Sequence, residues 1–217
     1  MRYFKKNSGD IRDNLSKKGM NHSPSTWEQF VCEHHESFET LRQELLDSQE
    51  GYCAYCEKRI NIEKSHIDHY FPRCSFSNLT FKKENLYLSC MSKNHCGRAK
   101  DNMKECKNID IKKTKRPDEL INGEKIENFL FYTREGRLKV LPRSDLSPDD
   151  NKKLENTIKK LNLNDNSLVN DRKNNFRIID YMASAPNNFS QGQINESVDM
   201  PSLIAQYFSS SQRRENL

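Results

Sequence analysis

Apolar residues cluster in a few patterned blocks separated by charged stretches. Between residues 25 and 50, Trp27, Phe30, Val31, His34, Phe38, Leu41, Leu45 and Leu46 recur at three- and four-residue spacing. That period predicts one amphipathic helix. Pro24 precedes it, Ser25 and Glu28 stand at capping-box spacing, and Gly51 supplies a stop. Residues 67–72 and 85–90 read as two strands, and a helix starts at Cys96. Residues 129–133 and 138–141 flank Glu135-Gly136 and read as a hairpin. Ser147-Pro148-Asp149-Asp150 combines a cap, a first-position proline and first-turn acids, so a helix carrying Leu154, Ile158 and Leu161 follows. The run Leu161-Asn162-Leu163-Asn164 breaks the pattern, and a last firm helix covers 166–183.

Three stretches carry little pattern. Residues 1–23 read as a basic arm whose only large anchors are Tyr3 and Phe4, the candidate contacts for a partner chain. Residues 103–128 are charged, and 184–217 form a polar tail with room for a short helix near 201–212. The chain thus divides into an arm (1–23), a helical lead-in (24–50), a central unit (51–107), a hairpin-and-helix region (108–183) and the tail (184–217).

Composition narrows the class. Of 217 residues, 34% are hydrophobic and 31% charged, so several small clusters are expected instead of one large core. No apolar run approaches the roughly 20 residues that span a bilayer, and the first residues lack the apolar segment of a secretory signal. Seven cysteines, an odd number, fit metal binding in the reducing cytoplasm better than disulfides. The net charge of +5 is a mild pointer to a polyanion, and its distribution says more. Basic residues crowd positions 93–116, among them Arg98, Lys100 and Lys104, candidates for a nucleic-acid backbone.

The central unit holds the chemistry. Cys53-x-x-Cys56 with Cys90 and Cys96 supplies two knuckles that close a tetrahedron around a structural zinc ion. A zinc ribbon accounts for these four but not for His66-Ile67-Asp68-His69 in the insert. Aspartate is a hard ligand for Mg²⁺ and histidine a base near neutrality, a familiar hydrolytic pairing. Two strands and a helix stapled by zinc make a ββα unit.

The order Cys-x-x-Cys, Asp68-His69-x-x-Pro72, Asn85-Leu86-x-x-x-Cys90, Cys96-x-x-x-Lys100 resembles the HNH nuclease family. More narrowly, the run from His66 to Arg73, Leu86-x-Leu88-Ser89-Cys90, Cys96-Gly97-Arg98-Ala99-Lys100 and Leu161-Asn162-Leu163-Asn164 resemble PtuB, the nuclease-type subunit of Septu and retron-associated antiphage systems. The resemblance implies an α+β fold, with a zinc-stapled ββα-metal core, flanking helices and a C-terminal hairpin-plus-helices region. It implies His69 as the general base, Asp68 as ligand to a catalytic Mg²⁺ or Mn²⁺, and Asn85 as the residue that ties the connecting loop and orients the base. Many zinc-bearing members place a second histidine ligand right after the last cysteine, where this chain has Gly97. His95, Asp101 and Asn102 are the candidates to replace it, His95 being equally a candidate zinc ligand, Arg73 is placed for the scissile phosphate, and His66 is either structural or a substrate contact.

The function expected is metal-dependent hydrolysis of phosphodiesters, DNA first and RNA such as tRNA as an alternative. The rival is a non-catalytic zinc module that binds nucleic acid or proteins. The PtuB resemblance also implies a partner ATPase, PtuA, and in retron settings a reverse transcriptase with its RNA–DNA product. No membrane is involved in this reading.

Overall fold

A computed structural model describes residues 1–17, 23–185 and 189–215. The chain is mixed α+β, with three separate two-stranded antiparallel sheets among the described residues. Two of these residues' apolar clusters organise it, one on each face of the central sheet.

That sheet pairs β1 (Ser65–His69) with β2 (Leu86–Cys90), and the register sets Asp68 against Tyr87 and His69 against Leu86. Successive strand residues point to opposite faces. Ile67, Leu86 and Leu88 therefore face a smaller cluster built on Ile11, Leu15, Trp27, Phe30, Leu41, Leu45 and Phe81. Tyr87 faces the larger one and packs with Phe4, Tyr55 and Tyr70.

The lead-in is two helices, not one. After α1 (Ile11–Lys17), α2 spans Trp27–Glu33 and α3 spans His35–Ser48, broken at His34. Thr26, not Ser25, caps α2 by accepting from the Gln29 N–H, while Gln29 reaches back to the Ser25 N–H. The cap thus sits one residue later than the spacing suggests, and the side chain of Gln29 bonds the residue before the cap, so the reciprocal box does not close. Glu50 takes a left-handed conformation, φ 54°, and the Gly51 N–H closes on the Leu46 carbonyl at 3.0 Å.

Residues 1–17 do not project as an arm. Met1 and Phe4 are buried in the larger cluster, its amino group pairs with Glu57 at 2.5 Å, and the Tyr3 N–H donates to Glu127. Phe4 is therefore spent on the protein's own core, and Tyr3 is half-buried against it; residues 18–22 lie outside the described residues.

After the sheet, α4 (Cys96–Asn102) and the short α5 (Lys104–Lys107) lead to β3 (Leu120–Ile121) and β4 (Glu124–Lys125), joined through Asn122-Gly123. Both turn residues have positive φ, 52° and 79°, the signature of a tight hairpin turn. The hairpin at Glu135-Gly136 forms as β5 (Leu130–Tyr132) and β6 (Leu138–Val140). Helix α6 (Pro148–Lys160) starts at its expected cap, where Ser147 accepts from the Asp150 N–H. Helix α7 spans Asn166–Ser184. The 184–217 segment is no loose tail. It forms α8 (Gln191–Ser197) and α9 (Pro201–Glu215), and Ile194, Val198, Met200, Leu203 and Ile204 are buried in the larger cluster. Five buried apolar residues outweigh the surrounding Ser, Asn and Gln. Residues 186–188 and 216–217 lie outside the described residues. Among the described residues no helix is long and apolar enough to cross a membrane.

One turn is sharply constrained. Gly136 has φ 78°, and a Cβ there would lie 2.2 Å from the Val169 carbonyl oxygen. Gly136→Ala is expected to destabilise by at least about 1–3 kcal/mol, since neither the backbone angle nor the space suits a side chain. Urea denaturation of the variant measures it.

Candidate functional site

The four knuckle cysteines meet. Cys53 starts a tight turn in which its N–H bonds the Lys58 carbonyl at 2.9 Å and Glu57 adopts φ 61°. Cys90 ends β2, and Cys96 opens α4 with its N–H on the Leu161 carbonyl at 2.8 Å. All four Sγ atoms lie within 4.8 Å of one another, with Cys53–Cys96 at 3.8 Å and Cys56–Cys90 at 3.9 Å. A zinc ion about 2.3 Å from four sulfurs requires edges of about 3.8 Å. The cluster can therefore hold a metal such as zinc. The Cys90 N–H donates to Cys53 Sγ at 3.3 Å, a contact that suits a thiolate. Hydrogen bonds from the other three thiols pull Cys90 well below its usual range, while burial pushes Cys96 up. A divalent cation relieves both by taking all four as thiolates. His95 lies at this cluster, Nδ1 at 3.1 Å from Cys96 Sγ and 3.7 Å from Cys90 Sγ, and not in the cleft described next.

An open cleft of about 760 Å³ lies where β1 ends and α4 runs past it. His66, Asp68, His69, Arg73, Arg98, Lys100, Asp101 and Asn102, all singled out from the sequence, line it together with Lys107 and Lys160. Asn85 does not line it. Instead Asn85 ties the connecting loop, accepting from the Phe71 N–H at 2.7 Å and donating to the carbonyls of Phe71 at 3.0 Å and Leu79 at 3.2 Å.

His69 Nε2 lies 2.9 Å from the Thr80 carbonyl. A carbonyl only accepts, so Nε2 carries the proton and Nδ1 holds the free lone pair. Among the described residues no hydrogen bond occupies Nδ1, and the residue lines the cleft. The Trp27 ring meets the imidazole edge-to-face at 4.5 Å. Burial, seconded by the positive charges of Arg73 and Lys100, lowers the His69 pKa to about 4, against the opposing effects of the Thr80 bond and Asp68. The neutral, proton-accepting ring is thus the resting form. His66 also has its pKa lowered by burial, and its Nδ1 is buried without a partner at the cleft wall.

Asp68 points the other way, toward α4. The Tyr55 hydroxyl donates to Oδ2 at 2.5 Å, and Lys100 Nζ lies 3.4 Å from Oδ1. Lys100 is fully buried; it donates to the His69 carbonyl at 2.9 Å and to Asp101 at 2.7 Å. Asp68 comes so close to α4 that a Cβ on Gly97 would lie 2.7 Å from its Cγ and Oδ1. Gly97 is thus the residue that lets the carboxylate in, and its N–H is held by Ser89 Oγ at 3.1 Å. As arranged, these donors do not fit a divalent cation: each Asp68 oxygen already has a protein partner, and a buried ammonium stands beside it. Asp101 and Asn102 are exposed at the rim, and Asp101 also pairs with Lys100.

The basic candidates separate. Arg98 lines the cleft, and among the described residues its hydrogen bonds are two long ones of 3.4 Å to Met91. Lys100 is inside the protein and cannot grip a nucleic-acid backbone, and Lys104 is exposed on α5 away from the cleft lining. Arg73 lines the cleft and pairs with exposed Glu28 at 2.7 Å, a contact a phosphate can displace. In α7, Arg172 is buried, bonding the Gly136 carbonyl and covering the Tyr132 ring, so it faces no phosphate.

The sequence reading missed Tyr55, Trp27, Lys107 and Lys160 as site residues. Tyr55 sits inside the Cys-x-x-Cys knuckle and Trp27 inside a helical stripe, so each had a sufficient structural explanation. Lys160 is buried with Nζ on the Cys106 carbonyl at 2.9 Å, and its pKa is lowered by burial and by Lys100. No protein-family model and no curated protein matches the chain.

Proposed function

We propose that this chain is a nuclease of the HNH type that hydrolyses phosphodiester bonds with His69 as general base. The observation that carries the reading is the His69 ring itself. Its Nε2–H is committed to the Thr80 carbonyl, its Nδ1 lone pair is left to accept a proton, and the residue lines a cleft with Arg73, Arg98 and Lys107. A zinc-binding ribbon has no need of such a histidine. In this mechanism a water molecule gives one proton to Nδ1, and its oxygen attacks phosphorus. The bond from phosphorus to the leaving ester oxygen breaks, and that oxygen takes up a proton from solvent. Fixed cations at the rim hold the phosphate and offset the charge that builds on its oxygens. Asn85 keeps the 71–80 loop, and with it the Thr80 carbonyl, where His69 needs it.

The motif resemblance to PtuB supports a role as the effector of an antiphage system, held in check by a partner ATPase. DNA is the first substrate to test and tRNA the second. The rival, a zinc module that binds without cutting, draws support from the saturated Asp68–Lys100 pair, which leaves no open carboxylate. The deciding assay incubates supercoiled plasmid and tRNA with zinc-loaded protein, alone and co-purified with its neighbouring gene products. Cutting by wild type that His69→Ala loses supports the nuclease. Binding without cutting under every condition, with and without Mg²⁺ or Mn²⁺, installs the rival.

A further inference from the structure

Hydrolysis of a phosphodiester places negative charge on oxygens that are poor leaving groups, and a nearby cation offsets it. In this cleft a cation is already built in. Lys100 Nζ lies 2.9 Å from the His69 carbonyl, 2.7 Å from Asp101 Oδ1 and 3.4 Å from Asp68 Oδ1. One carbonyl and two carboxylates around a single charge is the donor set a hard metal ion would otherwise collect.

We propose that the Lys100 ammonium is the resident cation of this site and that the cleft takes no divalent metal. The idea rests on the phosphodiesterase reading for its catalytic meaning, but its statement about metal does not.

Three observations support it. First, both Asp68 oxygens are already engaged, Oδ2 by the Tyr55 hydroxyl and Oδ1 by the ion pair with Lys100. Second, the ammonium is fully buried and Asp68 is 3% exposed. A charge that far from water persists only when paired, so drawing Asp68 onto a metal would leave Lys100 with the exposed Asp101 as its one carboxylate partner. Placing a divalent ion there would set three positive charges against two carboxylates, with the cations Arg98, Lys107 and Lys160 also lining the cleft. Third, the first turn of α4 offers the cleft no ligand, its Cys96 belonging to the cysteine cluster. Its second residue is Gly97, and the space a side chain would need is filled by the Asp68 carboxyl, 2.7 Å from a Cβ built there. Among the described residues the only group of three or more metal-type side chains within reach of one another is the four cysteines.

Lys100 is too deep to touch a substrate, so it acts as a positioning residue. It fixes the His69 carbonyl at the end of β1 and supplies a positive field beside the imidazole. Unlike a bound ion, it cannot be removed by a chelator.

The test is a count of bound Mn²⁺ by electron paramagnetic resonance on the full-length, zinc-loaded protein. Wild type and Lys100→Arg are expected to leave the free-Mn²⁺ signal undiminished at equimolar metal. Lys100→Ala, which frees Asp68 and Asp101, is expected to remove one Mn²⁺ per chain from that signal, and Asp68→Asn added to it should abolish the uptake. Uptake of Mn²⁺ by wild type that Asp68→Asn removes overturns the proposal, as does a folded Lys100→Ala that takes up none. If Lys100→Ala does not fold, wild type and Lys100→Arg decide. Where cleavage is measurable, it should persist in chelator while zinc stays bound, and a strict requirement for added Mg²⁺ or Mn²⁺ also overturns the proposal. Absence of any cleavage counts against the phosphodiesterase reading, and the Mn²⁺ count still decides the role of Lys100.

Discussion

Cys53→Ser is expected to strip the protein of its metal and to loosen both cysteine turns together. Cys53 is 1% exposed, lies 3.8 Å from Cys96 Sγ and accepts the Cys90 N–H, so its sulfur touches both knuckles. Structural zinc in small modules contributes roughly 10 kcal/mol or more of folding free energy. Whole domains are stable by only about 5–15 kcal/mol. Loss of one thiolate ligand therefore removes an amount comparable with the entire stability and leaves three buried thiols without a cation. The damage should spread, because the cluster is wired outward. The Cys96 N–H holds the Leu161 carbonyl at the α6–α7 turn, and Glu57, next to Cys56, bonds Ser202 in α9. Elemental analysis should find one zinc per wild-type chain and none in the variant, whose melting should shift far down or lose cooperativity. Cys74→Ser, at an exposed thiol, serves as the neutral comparison. A zinc-free wild type, with a variant that melts like it, would end the structural-metal account.

The elements that sequence made legible are those with hard local punctuation. Cys90 and Cys96 bracket the end of β2 and the start of α4, Pro148 marks α6, and Glu135-Gly136 marks the β5–β6 turn. Each is fixed by neighbours a few residues away. What escaped is fixed by partners far along the chain. The stripe over 27–46 runs unbroken through His34, so periodicity alone gave one helix where there are two. Phe4 reads as a contact for a partner chain, and Met1 carries no signal, because their partners, Tyr87 and Glu57, are more than fifty residues on. Asn122-Gly123 is a strong hairpin signal, passed over because the flanking strands are only two residues each. In the site, Lys100 sits in a basic run and looked like a surface lysine. Only the fold shows that the turn of α4 carries it inward to Asp68 and the His69 carbonyl. The same inward turn explains Gly97, a gap in the motif that becomes a space for a carboxylate.

His69→Ala is expected to cut the cleavage rate by roughly 10²–10⁴-fold while leaving nucleic-acid affinity and zinc content near wild type. The side chain borders the smaller cluster and touches Trp27, so the variant also leaves a small gap, but the loop keeps its Asn85 bonds. A pH profile separates the base from a merely structural histidine. Burial, the largest cause, lowers the His69 pKa from 6.5 to about 4. The ring therefore stays unprotonated well below neutrality, and the acid limb of kcat/KM should fall near pH 4. The linkage has the matching sign. The unfolded state binds the proton near pH 6.5 and the folded state only near pH 4, so this histidine lowers stability progressively as pH falls between those values. Trp27, the only tryptophan, covers the imidazole edge-to-face. Trp27→Ala should let water in, raise the His69 pKa and move the acid limb upward, an effect absent from a His69→Ala background. Cleavage by His69→Ala near the wild-type rate, or an acid limb that Trp27→Ala does not move, would take the base away from His69.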